Sequence, residues 1–153
     1  MSSLRLRPIL IVEDSDEDYD TAITAIARVG IPNPVLRAQD GDECLELLAS
    51  AAKAAASESF ALVLLDLSLP GTDGRDVLQA LRAVPNLRRL PVVVLTTSGS
   101  SRDCDACYEA GANAFHKKPV RFDEHLAVLE EIFRYWCRHV VLPAAELRPR
   151  VSH

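Results

Sequence analysis

Short apolar runs alternate along this chain with segments in which apolar residues recur every three or four positions. The runs at 8–12, 35–38, 62–65, 91–96 and 114–117 have the length of strands, and most are dominated by valine, isoleucine and leucine. Between them lie helical patterns: Tyr19, Ile23 and Ile26 ahead of Gly30; Leu45, Leu48 and Ala52 after a cap placed at Asp42; Val77, Leu78 and Leu81 ahead of Pro85. A fourth, shorter helix is predicted over 101–110, ending where Gly111 suits a left-handed cap, and a fifth over 123–141. Apolar strands, each followed by a helix, predict a parallel sheet covered on both faces, an open, doubly wound five-stranded α/β/α sandwich. The alanine-rich stretch from Leu48 to Ser59 reads as a long second helix running into a mobile loop. Pro143 and Pro149, with few apolar anchors around them, predict a frayed tail over 143–153 behind a single domain over 1–142.

Composition narrows the function classes. With 153 residues, 48% of them hydrophobic and 25% charged, the chain is an ordinary globular protein, which excludes disorder and fibres. Seventeen basic against 22 acidic residues leave a net charge of −5, which argues against nucleic acid or anionic membrane as a direct partner. The first apolar run is too short for a secretory core or a membrane span, so a cytoplasmic location is expected. The four cysteines, Cys44, Cys104, Cys107 and Cys137, lack the density of a disulfide scaffold. Cys104 and Cys107 stand either as a redox pair at the start of a helix or as two small residues on one helix face, and no second pair completes a four-thiolate zinc site.

In open α/β sheets, chemistry sits beyond the carboxyl ends of the strands. Those ends carry Glu13 and Asp14 after the first strand, Asp66 after the third, Thr96 in the fourth and Lys118 after the fifth. Asp14, Ser15 and Asp16 also have the makings of a helix cap, and Asp16, Asp18 and Asp20 read as capping or solvated acids. Glu13, Asp14 and Asp66 differ: three carboxylates brought together repel unless one is protonated or a cation neutralises them. An all-oxygen donor set of this kind suits Mg²⁺. Asp66 beside such a cation is placed to attack a phosphoryl group and form an aspartyl phosphate, with Lys118 and Thr96 at hand to hold its oxygens. The plainer alternative is that Lys118 pairs with Asp66 and Thr96 is a strand residue.

The segments Ile11-Val12-Glu13-Asp14, Leu64-Leu65-Asp66-Leu67-Ser68-Leu69-Pro70-Gly71-Thr72-Asp73-Gly74, Val94-Leu95-Thr96-Thr97 and Lys118-Pro119, in that order, resemble the receiver domain of two-component response regulators over about residues 8–140. The resemblance implies a flavodoxin-like receiver fold with Asp66 as phosphoacceptor and Glu13 and Asp14 serving Mg²⁺. It also implies the Ser68 carbonyl as a further metal ligand, Thr96 and Lys118 as phosphoryl contacts, a cis Lys118–Pro119 bond, and Phe115 as the aromatic switch residue. Two positions depart from the family pattern. Thr97 is larger than the small residue often found there, narrowing the approach to Asp66, and Phe115 lacks the hydroxyl of the frequent tyrosine, so its rotation would be driven by packing alone.

Only 34 residues follow Pro119, nearly all needed for the last helix, so a stand-alone receiver without an output domain is expected. The segment Leu129-Glu130-Glu131-Ile132-Phe133-Arg134-Tyr135-Trp136, with Val141-Leu142-Pro143 and the long second-helix region, is similar to the small response regulators that accompany cyanobacterial and bacterial phytochromes. That similarity implies a light-regulated histidine kinase, a phytochrome, as phosphodonor. Two rivals are a flavodoxin-like cofactor module, disfavoured because Glu13-Asp14-Ser15-Asp16 offers negative charge to a phosphate, and a pseudo-receiver adaptor that works without phosphorylation. A hydrolase is weaker again, since His116, His125, His139 and His153 form no metal cluster or triad order and read as surface or packing residues.

The expected last helix is long. Nineteen residues make about 28 Å, against about 17 Å for a five-residue strand, so the helix should overshoot the sheet. Phe122, Leu126, Leu129, Phe133, Trp136 and Val140 recur at alternating spacings of four and three, while Val128, Ile132 and Tyr135 form a second stripe. One stripe would cover the sheet and leave the other for a partner. A homodimer with Phe133, Trp136 and Val140 in its interface is expected, the alternative being that both stripes bury within one chain.

Overall fold

The apolar runs become strands because each central one is buried on both faces. The computed structural model describes residues 6–53, 60–97 and 99–142; the expected tail at 143–153 and the second half of the 48–59 stretch, with the loop expected there, lie outside them. Five strands, β1 (Ile9–Val12), β2 (Val35–Ala38), β3 (Leu62–Leu65), β4 (Val92–Thr96) and β5 (Ala114–Lys117), form one parallel sheet in the order β2-β1-β3-β4-β5. Side-chain alternation divides the core in two. Leu10, Val12, Val63, Leu65, Val92 and Val94 meet the helices α2 (Gly41–Lys53), α3 (Gly74–Ala83) and α4 (Ser101–Glu109). Ile9, Ile11, Leu62, Leu64, Val93 and Leu95 meet α1 (Asp16–Val29) and α5 (Phe122–Arg134), which pack along each other. The strand order reverses beside β1, so the carboxyl ends of β1 and β3 open onto a crevice between helices.

The helix ends follow local chemistry, with two corrections. Ser15 caps α1 by accepting the Asp18 N–H at 3.2 Å, and Ser100 caps α4 in the same way through Asp103. The cap of α2 is Asp40, not Asp42: its carboxylate accepts the Glu43 N–H at 2.7 Å, while Asp42 accepts the Thr72 hydroxyl at 2.5 Å. Gly111 does end the α4 segment in the left-handed region, with φ 106°, where a β-carbon would also meet the Arg82 side chain at 2.8 Å. The last helix stays helical beyond Arg134 but loosens into a π turn over Tyr135–His139, closed by Val140 N–H donating to Tyr135 O, so Val140 and Val141 fall outside it.

Among the described residues no peptide bond is cis, so Lys118–Pro119 is trans, contrary to expectation. Trans is the ordinary preference of such a bond, and the Lys118 side chain reaches the site with it. Phe133 is likewise corrected: its side chain is wholly buried against α1 and the sheet and belongs to the core, not to an interface. Cys104 and Cys107 are free thiols on one helix, and burial pushes the Cys107 thiol above its ordinary value, away from the reactive thiolate a redox pair needs.

Candidate functional site

The sheet itself sets the site residues in place, because its ladder continues one residue past the strands. Glu13 N–H donates to Ala38 O at 2.9 Å, Asp66 N–H to Val12 O at 3.1 Å and Lys118 N–H to Thr96 O at 2.7 Å. Glu13, Asp66, Thr96 and Lys118 are all buried, while Asp14 is exposed at the rim. The loop after Asp66 folds back tightly: Ser68 N–H donates to Asp66 Oδ1 at 3.0 Å, Asp73 caps α3 by accepting the Arg75 N–H at 2.8 Å, and residue 74 is glycine because a β-carbon there would meet Leu67 Cα at 2.7 Å and Asp66 O at 2.8 Å.

Lys118 is the hub. Its Nζ donates to Glu13 Oε1 at 2.5 Å, Asp18 Oδ2 at 2.8 Å and Asp66 Oδ2 at 2.9 Å, from a side chain only 5% exposed. Burial alone would lower the lysine, but hydrogen bonds to Asp18 and Glu13 and the charge of Asp66 hold it above its ordinary value. Burial raises the Glu13 carboxyl to about 7 against the pull of Lys118, and the charge of Asp66 adds to the rise. Carboxylate oxygens of Glu13, Asp14 and Asp66 lie within 4.8 Å of one another. Three carboxylates share one ammonium and a fourth, Asp14, lies beside two of them, and this excess of hard oxygen donors fits a divalent cation such as Mg²⁺.

Sequence reasoning missed Asp18. Asp18 read, with Asp20, as a solvated acid, yet it sits in the first turn of α1, where a side chain leans back toward the helix start and so toward the strand ends. His125, read as surface or packing, is buried in α5 with Nδ1 3.9 Å from Asp18 Oδ1, and burial lowers its pKa. Asp16, read as a capping acid, lies in the first turn with Ser15 as the cap, and Arg37 pairs with it at 2.8 Å, donates to Glu13 O at 3.1 Å and lies over the Tyr19 ring. Phe115 is half-buried against the α2–α4 side of the core, and its N–H donates to the Tyr108 hydroxyl at 3.1 Å. Thr97 is exposed.

A family model for the response regulator receiver domain matches residues 9–130. The chain belongs to the response regulator receiver family. This receiver is 35% identical over 137 residues to response regulator Rcp1 of Synechocystis sp. (strain ATCC 27184 / PCC 6803 / Kazusa), covering 90% of this chain and 93% of that one. Its fold is similar to the crystal structure of the phosphorylated cyanobacterial phytochrome response regulator RcpA, with a TM-score of 0.83, 32% identity, and 90% and 99% of the two chains covered. The Mn(2+)-bound form of Rcp1 gives a TM-score of 0.82 at 34% identity over 90% and 99%. Among the described residues, no helix of the receiver is long and apolar enough to cross a membrane.

Proposed function

We propose that this receiver is a phosphoryl acceptor of a two-component phosphorelay, taking the group from a phosphohistidine of a histidine kinase onto Asp66. The observation that carries the reading is the buried Lys118 ammonium 2.9 Å from the Asp66 carboxylate, at the edge of a three-carboxylate cluster. In the transfer an Asp66 oxygen bonds to phosphorus as the phosphorus–nitrogen bond breaks, and the departing imidazole keeps the electron pair. Negative charge spreads over the phosphoryl oxygens, and Lys118 supplies fixed positive charge beside them. Glu13, Asp14 and Asp66, with the Ser68 carbonyl, would hold Mg²⁺, which when bound neutralises the phosphoryl oxygens. Thr96, fully buried at the end of β4, is the hydroxyl that approaches the new phosphoryl group, and Phe115 is the side chain that repacks in response. The switch then biases two packings of the α4 face. The chemistry is self-catalysed acceptance and slow hydrolysis, not turnover of a substrate.

Similarity to Rcp1 and RcpA along nearly the whole chain supports a phytochrome-type kinase as the donor, and with it a cytoplasmic receiver. The acidic composition supports protein partners over nucleic acid or membrane. A homodimer through the π turn that follows α5 and the residues after it rests on a narrower patch than the seam: Tyr135 and Val141 are exposed, and Trp136 and Val140 are partly so. Light scattering on the wild type and on Trp136→Ala tests it, and a wild-type monomer at micromolar concentration overturns it. The central test is labelling by acetyl phosphate and by candidate kinases compared at short times. Wild type should label, Asp66→Asn should not, and a phytochrome-type kinase should be kinetically preferred. Equal labelling of Asp66→Asn overturns the acceptor assignment, and no preference among kinases overturns the choice of donor.

A further inference from the structure

An ammonium has three N–H donors, and Lys118 spends them on three different carboxylates, those of Glu13, Asp18 and Asp66. Glu13 and Asp66 also belong to the group that fits a divalent cation; Asp18 does not. Lysine and cation therefore draw on the same two carboxylates. A buried ammonium released by both, with no other counter-ion, would be left uncompensated at low dielectric. Asp18 is the counter-ion that cation binding leaves alone. Its place is set by other contacts: its N–H donates to Ser15 Oγ at 3.2 Å in the cap of α1, and its second oxygen faces His125 of α5 at 3.9 Å.

We propose that Asp18 is a positioning residue that retains Lys118 when Glu13 and Asp66 turn to a divalent cation, keeping the ammonium beside Asp66 for the incoming phosphoryl group. The inference rests on the reading of Asp66 as phosphoacceptor and adds to it a residue that makes lysine and cation compatible. Neutralising Asp18 acts on cation binding in two ways of the same sign. One negative charge is lost near the cation, and Lys118 is left leaning wholly on Glu13 and Asp66. Any nearby acid shares the first effect; only Asp18 has the second, and only while Lys118 is present.

The test is calorimetric titration of the metal-free full chain with Mg²⁺, and with Mn²⁺ as a second probe, for the wild type, Asp18→Asn, Asp18→Glu and Asp20→Asn. Asp20 is an exposed acid on the same helix. Asp18→Asn should raise the metal Kd about tenfold, the scale of one close charge interaction at a partly exposed site, and Asp18→Glu should restore most of it. Asp20→Asn should change it less than about twofold, because exposed charges are screened. In a Lys118→Met background Asp18→Asn should lose most of its effect, the signature of coupling in a double-mutant cycle. An equal effect of Asp18→Asn and Asp20→Asn, or an undiminished effect of Asp18→Asn without Lys118, overturns the proposal; Asp18→Ser carries the same comparison if Asp18→Asn melts too early to titrate. Acetyl phosphate labelling of the same proteins separates the two readings. Normal wild-type labelling with those outcomes removes Asp18 alone, whereas an unlabelled wild type removes the phosphoacceptor assignment.

Discussion

Replacing Lys118 by methionine deletes the ammonium at the centre of the site while keeping an unbranched side chain of similar length. The lysine side chain is 5% exposed, and Glu13 and Asp66 are each 7% exposed, so both carboxylates lose their partner inside the protein. Removing one member of a buried charge pair costs about 3–5 kcal/mol. Asp18, one-third exposed, regains water and adds little. At about 2–4 °C per kcal/mol for a domain of this size, the melting temperature should fall by roughly 6–20 °C in chelator near pH 8. The pH dependence has a definite sign. Lys118 is the larger of the two influences that hold the Glu13 carboxyl down, beside the Ser15 N–H; without it the carboxyl climbs above its present value of about 7. A carboxyl raised by folding contributes stability in acid that is lost as pH rises through its folded pKa. The deficit of Lys118→Met should therefore shrink at about pH 5.5, where a proton takes the place of the ammonium. Mg²⁺ should raise the melting point of the variant more than that of the wild type, since no ammonium competes for Glu13 and Asp66. Melting followed by circular dichroism, in chelator and in Mg²⁺ at both pH values, reads all three effects. A variant that melts within about 2 °C of the wild type in chelator, or whose deficit grows in acid, refutes the charge balance drawn for this site.

Cation affinity should itself depend on pH: Glu13 must lose its proton to act as a ligand, and with its pKa at about 7 the Mg²⁺ Kd should weaken about tenfold between pH 8 and pH 6. Calorimetry in buffers of different ionisation heat would show the proton released, and a pH-independent Kd would count against Glu13 as a ligand. Arg82 donates five hydrogen bonds, to Gly111 O twice, Leu87 O, Arg88 O and Asn113 Oδ1, tying the end of α3 to the turns before β4 and β5. Lysine cannot span these acceptors, so Arg82→Lys should lose about 2–3 kcal/mol in urea denaturation, and an unchanged midpoint would refute the role. Thr96→Ala should still label on Asp66 but lose the change in kinase affinity that labelling causes; equal coupling in the variant takes Thr96 out of the switch.

Much of this protein is written in local pattern. The strands at 35–38, 62–65 and 114–117 have the bounds read from the apolar runs, and the other two differ only by a leading proline. The three inner strands, buried on both faces, leave continuous apolar segments that need no knowledge of their neighbours, and the two edge strands keep a shorter apolar start. Glu13, Asp14, Asp66, Thr96 and Lys118 were legible for the same reason: each stands at a strand end, and in a parallel sheet all carboxyl ends share one edge. What packing decided is which of several equivalent residues faces that edge. Asp16, Asp18 and Asp20 are indistinguishable in composition and spacing from any acidic first turn, and only the docking of α1 against β1 and α5 turns Asp18 onto Lys118. The two stripes of the last helix are equally apolar in sequence, but α5 beside α1 buries Leu129, Ile132 and Phe133 together, so Phe133 is core while Tyr135 remains exposed. Periodicity records that a face is apolar; the neighbouring element, brought there by contacts far away in the chain, determines what covers it.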